Sequence, residues 1–269
     1  MTARVHVAAG LPEFEAAVAG LPHSAATSDT PRGALVVIDG SDRWWDAAAD
    51  AADGGARAVL VADPAGAPVE AIDALAVRAG IPVLLHRPRL RHDLVAHAVG
   101  ARHGAAPRVL VAECRAEPAD LPALVRDAIG WMRALAGAPM AVAATGGAAL
   151  LRADGGRLPV GSLIATAATA GGSVLRIRAL GETTIELEID AQIGRCELST
   201  STARGRTVSP ALHESGARAA LRRAIGIVEP VEPVAGRPGL AALADLEDLR
   251  RDASAADAIA SSGAEAIFS

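Results

Sequence analysis

The sequence of 269 residues contains no lysine, no tyrosine and no asparagine, and all 26 of its basic residues are arginine. All three missing amino acids use AT-rich codons, so a GC-rich genome accounts for them together. The chemical consequence holds whatever the origin. No side-chain amine is present to act as a general acid, a general base or a Schiff-base nucleophile. Arginine does not replace it, because a guanidinium stays protonated far above neutrality. Two cysteines, Cys114 and Cys196, are too few for a disulfide framework. Each lies in a strand-like run and reads as a buried thiol. A net charge of −5 gives no basic footprint for nucleic acid and no polybasic membrane anchor. The opening MTARVHVAAG lacks the long apolar stretch of a signal peptide, and the Ala- and Gly-rich runs are broken by Arg or Asp. A cytoplasmic protein is the expectation.

What is present describes a soluble globular chain, with 51% hydrophobic and 21% charged residues. Its length suffices for one large core or two modest ones. Residues 4–9 read as a strand and Pro12–Val18 as a helix, with Pro early in the first turn. Residues 20–32 are rich in turn formers and hold little regular structure. Ala34–Ile38 is a continuous apolar run, as a strand buried on both faces should be. Ser41 or Asp42 can cap a helix that runs to Asp53 and ends at Gly54-Gly55. RAVLVADP follows: a strand over 58–62, stopped at Asp63-Pro64 because proline cannot donate to the ladder. A helix over 69–79, a strand over 81–85 and a helix over 90–99 complete an alternation that implies a parallel sheet with helical crossovers.

After Pro107 the rhythm changes. A strand at 109–114 and a helix at 121–136 precede strands at 140–144, 162–169, 174–179, 183–189 and 195–200. Runs of consecutive strands mean antiparallel pairing, with turns at Gly171-Gly172 and Gly181. Helices at 210–225 and 240–261 and a short strand at 264–268 close the chain. The expected plan is a parallel α/β domain over 1–107 and an α+β domain with a mainly antiparallel sheet over 108–269.

Five segments in this order carry a resemblance. They are GALVVIDGSD (33–42), ARAVLVADPAGAPVEAIDALAVRAGIPVLL (56–85), DAIGWMRALAGAPMAVAA (127–144), TTIELEIDAQIGRCELSTS (183–201) and DASAADAIASSGAEAIFS (252–269). Together they resemble the glucose–fructose oxidoreductase / inositol dehydrogenase / MocA (Gfo/Idh/MocA) family of NAD(P)-dependent oxidoreductases. The resemblance implies a Rossmann-like first domain and a C-terminal sheet domain that often forms the subunit interface. It also implies hydride transfer on sugar- or polyol-like substrates.

Residue by residue, the family's chemistry is altered. Of its Gly-rich dinucleotide turn only Gly10 is present, Pro12 removes an amide, and Glu13 brings a negative charge. The segment that carries the family's acidic ribose contact is shortened, with Asp29 as its one acid. Asp39 and Gly40 fall on the strand that leads to the nicotinamide pocket. The family's Glu-Lys-Pro triplet reads Ala62-Asp63-Pro64, so Asp63 stands at the catalytic lysine position. The catalytic histidine position holds Asp127, and the family's two aspartates around it fall at Ala123 and Gly130.

The expectation is therefore a divergent family protein without dehydrogenase activity, acting as a binding or partner subunit. It would form a homo- or hetero-oligomer through the C-terminal sheet, with no nucleic-acid or membrane partner. The alternatives are an active NAD(P)-dependent enzyme with an atypical site and a sensor of a small-molecule ligand. Asp63 and Asp127, if they faced one cleft, would form a carboxylate pair suited to acid/base chemistry.

Other candidates have two readings each. Asp93 and His97 are spaced i,i+4, near His92 and His103, which suits a salt bridge as readily as a metal, and no metal is assigned. Arg87, Arg89 and Arg91 beside His86 fit an anionic ligand or a solvated face. Trp44, Trp45 and Trp131 fit a core, or for Trp45 a filled cofactor cleft. Asp120 is placed to cap the helix at 121.

Overall fold

The computed structural model describes residues 2–144, 148–153, 159–210, 213–229 and 239–261. They form two compact units: residues 1–91 with 213–250, and residues 92–212 with 251–269.

In the first unit, β1 (Ala3–Val7), β2 (Ala25–Thr27), β3 (Leu35–Asp39), β4 (Ala58–Ala62) and β5 (Val83–His86) form a parallel sheet in the order β2-β1-β3-β4-β5. Both faces are covered, which is why LVVI and AVLVA are apolar at every position. On one face Val5, Leu35, Val37, Leu60 and Leu84 pack with α1 (Pro12–Ala19) and α6 (Gly216–Val228). On the other, Val36, Ile38, Val59, Val61 and Val83 pack with α2 (Trp44–Asp53), α3 (Val69–Arg78) and, through Leu246 and Leu249, α7 (Gly239–Ser261). Asp245 of α7 takes two bonds of 2.7 Å from the Arg223 guanidinium and one of 3.0 Å from the Leu85 amide. It thereby covers a donor of the edge strand β5, a row that would otherwise invite pairing.

In the second unit, α4 (His92–Gly100) precedes β6 (Val109–Ala116) and α5 (Leu121–Ala136). Then come β7 (Met140–Ala144), β8 (Ala149–Ala153), β9 (Val160–Ala167), β10 (Val174–Leu180), β11 (Thr184–Asp190), β12 (Arg195–Thr202) and β13 (Gly205–Val208). The eight strands lie in the order β13-β12-β11-β10-β6-β9-β8-β7. Only β6 with β9 is parallel; the other pairs are antiparallel. The side chains alternate between the faces. Leu110, Ala112, Leu163, Leu175 and Ile177 are buried on the face against which α5 packs. Arg176, Arg178 and Leu180 point the other way and are exposed. The fold class is thus a Rossmann-like parallel sheet plus a mixed, mostly antiparallel sheet.

Some local expectations are corrected. Residues 20–32 contain β2, a three-residue edge strand too short to show a period. Neither Ser41 nor Asp42 caps α2: Arg43 takes that position without a side-chain bond, while the Ser41 hydroxyl donates to Asp39 Oδ2. Asp120 precedes α5 at the cap position but its side chain makes no capping bond. The helix expected at 210–225 starts at Gly216, where Ser215 Oγ accepts the Arg218 amide at 3.2 Å. Strands β8 and β13 add to the expected set, and the strand at 264–268 lies outside the described residues. Among the described residues, no helix is long and apolar enough to cross a membrane.

Candidate functional site

In an open parallel α/β sheet, ligands gather outside the carboxyl ends of the strands. Here the ends of β3, β4 and β5 are stitched together by backbone bonds. The Gly40 amide donates to the Ala62 carbonyl at 2.7 Å, the Asp63 amide to the His86 carbonyl at 2.8 Å, and the Ala65 amide to the Gly40 carbonyl at 2.7 Å. Trp44 Nε1 adds a bond of 3.2 Å to the Ala65 carbonyl. The strand-end approach is close enough to demand glycine at position 40: a Cβ there would lie 2.3 Å from the Ala62 oxygen. Asp63 leaves β4 with a φ of 47°, a left-handed conformation that aspartate tolerates better than most residues. Its side chain is exposed, and Pro64 after it is buried.

At the end of β5, His86 and Arg87 are both buried. His86 meets the Phe14 ring edge-to-face, with centroids 5.6 Å apart. Its Cε1 also lies where a Cβ on Gly216 would come within 2.8 Å. Arg89 and Arg91 are half-buried. Trp44 is fully buried, Trp45 stands edge-to-face with it at 6.0 Å, and both belong to the core cluster on the α2 side of the sheet. Trp131 is fully buried inside α5.

A dinucleotide of the usual kind needs amides at the start of the helix after β1, with no opposing charge. Gly10 does take a left-handed φ of 89°, with open space around its α-carbon. The helix start beyond it does not fit. Leu11 is buried, and the Phe14 amide, a first-turn donor, closes on the Leu11 carbonyl at 3.0 Å. Pro12 has no amide, and Glu13 and Glu15 place two carboxylates in the first turn. Asp39 is exposed and accepts the Ser41 hydroxyl.

Asp127 belongs to the second unit, whereas Asp63 belongs to the first. It is 1% exposed within α5, and Arg126 Nε lies 4.0 Å from its Oδ1. Burial pushes the Cys114 thiol well above its ordinary range, and the Asp127 charge adds to the shift. Cys114 is buried as expected, but Cys196, near the sheet edge, is only half-buried.

Among the described residues, no three His, Cys, Asp or Glu side chains converge on a point fit for a metal ion. His97 instead meets Ser209, with Nε2 and Oγ 3.0 Å apart. Nothing in the sequence pattern singled out Ser209, which lies 112 residues further along the chain.

The chain matches no protein-family model and no curated protein sequence. It does match solved structures. UDP-N-acetylglucosamine 3-dehydrogenase GnnA from Acidithiobacillus ferrooxidans superposes with a TM-score of 0.68 at 15% identity, over 97% of each chain. An oxidoreductase from Sinorhizobium meliloti gives 0.68 at 12% identity, over 98% of each. KijD10, a 3-ketoreductase from Actinomadura kijaniata in complex with TDP-benzene and NADP, gives 0.63 at 14% identity, over 97% of this chain and 98% of that one. At such identities the likeness is one of fold, and the chain has the fold of these oxidoreductases along nearly its whole length.

Proposed function

We propose that the chain is a divergent Gfo/Idh/MocA-type protein that keeps the fold of a sugar oxidoreductase without dehydrogenase activity and works as a binding or partner subunit in the cytoplasm. The observation that carries this reading is the start of α1. Carboxylates at Glu13 and Glu15 and a proline without an amide at position 12 oppose a pyrophosphate there. Asp63 supports it, since an acceptor carboxylate stands where the family carries an amine and the chain holds no lysine.

The partner role draws support from the sheet of the second unit. Among the described residues, six of the eight exposed large hydrophobics, Val109, Leu150, Val160, Ile164, Leu180 and Val208, lie on the face opposite α5. Concentration of apolar side chains on one face marks a surface that another protein covers. Beside them runs a ladder of arginine and glutamate, with Arg176 to Glu188 at 3.2 Å and Arg195 to Glu197 at 2.7 Å. The balanced charges suit a second copy of the chain or a related subunit. Sedimentation velocity tests the role: a dimer or larger species, reduced to monomer by Ile164→Arg, is the expected result. A monomer at all concentrations, alone and beside an active relative, would contradict it.

The second reading is an active NAD(P)-dependent enzyme on a sugar- or polyol-like substrate with an atypical site. The NADP bound to the similarly folded KijD10 favours it. Nucleotide-dependent turnover by the purified chain, with nucleotide binding to match, would establish it over the first.

A further inference from the structure

A cavity of about 190 Å³ lies within the second unit where α4 meets β12 and the segment after β13. Its walls are mainly apolar, from Leu94, Leu198 and Pro210. Asp93, His97, Cys196 and Ser209 complete its lining. The Ser209 hydroxyl and His97 Nε2 are already 3.0 Å apart, the separation of a nucleophile and its base. Both are held from behind. The Ser209 amide donates to the Leu198 carbonyl at 2.8 Å, and Pro210 beside it has a locked φ. His97 rides on α4, which is anchored by buried Leu94 and Ala98. Asp93 and His97 stand four residues apart on one face of α4.

We propose that this cavity is an acyl-transfer site that hydrolyses small esters, with Ser209 as nucleophile and His97 as general base. The Ser209 Oγ bonds to the acyl carbon while its proton passes to His97 Nε2. The bond from that carbon to the leaving oxygen breaks, and the leaving oxygen takes the proton. Water then attacks the acyl-serine, His97 accepts the water's proton, and Ser209 Oγ departs and recovers it. The sum is ester plus water giving acid plus alcohol. A volume of about 190 Å³ equals the room of about six waters at roughly 30 Å³ each, which suits a small acyl group. This site is independent of the nucleotide question.

The test is incubation of the full chain with p-nitrophenyl acetate, following phenolate release, intact mass and the modified peptide. The expected result is one acetyl group per chain, on Ser209. Release should fall on the order of 100-fold in Ser209→Ala and in His97→Gln, which removes the base yet keeps a hydrogen-bond partner. Acetylation of Cys196 or any other residue in place of Ser209, no acetylation, or equal rates in both variants would overturn the proposal. The mapping uses the unaltered chain, so it decides even where a variant fails to fold.

Discussion

Gly40 and Ala62 meet across the carboxyl ends of β3 and β4, amide to carbonyl, at 2.7 Å. A methyl group on Gly40 would press 2.3 Å from that oxygen, against backbone that cannot rotate away. Gly40→Ala is therefore expected to destabilise the first unit by about 2 kcal/mol or more, as overpacking does. Denaturant unfolding measures it. The substitution also separates two reasons for a glycine here, since a purely ligand-facing glycine would leave stability unchanged.

Asp252 makes a second prediction. Its carboxylate is 0% exposed, and Arg133 reaches it from α5 through bonds of 2.8 and 3.3 Å. Asp252→Ala leaves the guanidinium among buried groups without that carboxylate and should cost about 3–5 kcal/mol. Replacing Arg133 and Asp252 together by Met and Leu should recover most of that loss, because neither charge of the pair is then buried. Urea midpoints of the single and double variants check both statements.

The two cysteines should differ sharply. Burial, reinforced by the Asp127 charge, holds the Cys114 thiol protonated well above its ordinary range, whereas Cys196 is half-buried. A thiol reagent such as DTNB at pH 8 is expected to label Cys196 in the folded chain and Cys114 only as the chain unfolds. Equal rates for the two in native buffer would contradict this.

Glu197 gives a pH signature. The hydrogen bond from Arg195, and then its charge, hold the Glu197 carboxyl below the ordinary glutamate range. The folded state favours the ionised form, so this contribution is present above the unfolded pKa and is lost as pH falls through the folded one. Titration followed by carboxyl NMR should place the Glu197 midpoint below that of an exposed glutamate. Arg195→Ala should move it back up.

Much of this was legible in the sequence where burial and pattern coincide. AVLVA and the helix from Leu121 to Ala136 stand at the bounds their residues announce, because one is apolar throughout and the other closes on Gly137 at a φ of 72°. β13 was hidden because all four of its residues are exposed, so only the ladder to β12 defines it. The return of residues 213–250 to the first unit rests on long-range packing of α6 and α7, to which no local period points. The lack of lysine and the place of Asp63 at the end of β4 could be read directly, but the backbone stitching at Gly40 could not. Ser209 reaches His97 only through the course of β12 and β13, so their pairing left no trace in spacing.

If Pro12, Glu13 and Glu15 at the start of α1 exclude a pyrophosphate, the first unit binds no dinucleotide. Calorimetric titration of the purified chain with NADH and with NADPH tests it most directly. No saturable heat is expected up to millimolar nucleotide. Saturable binding of either nucleotide at micromolar concentration, one per chain, would contradict it.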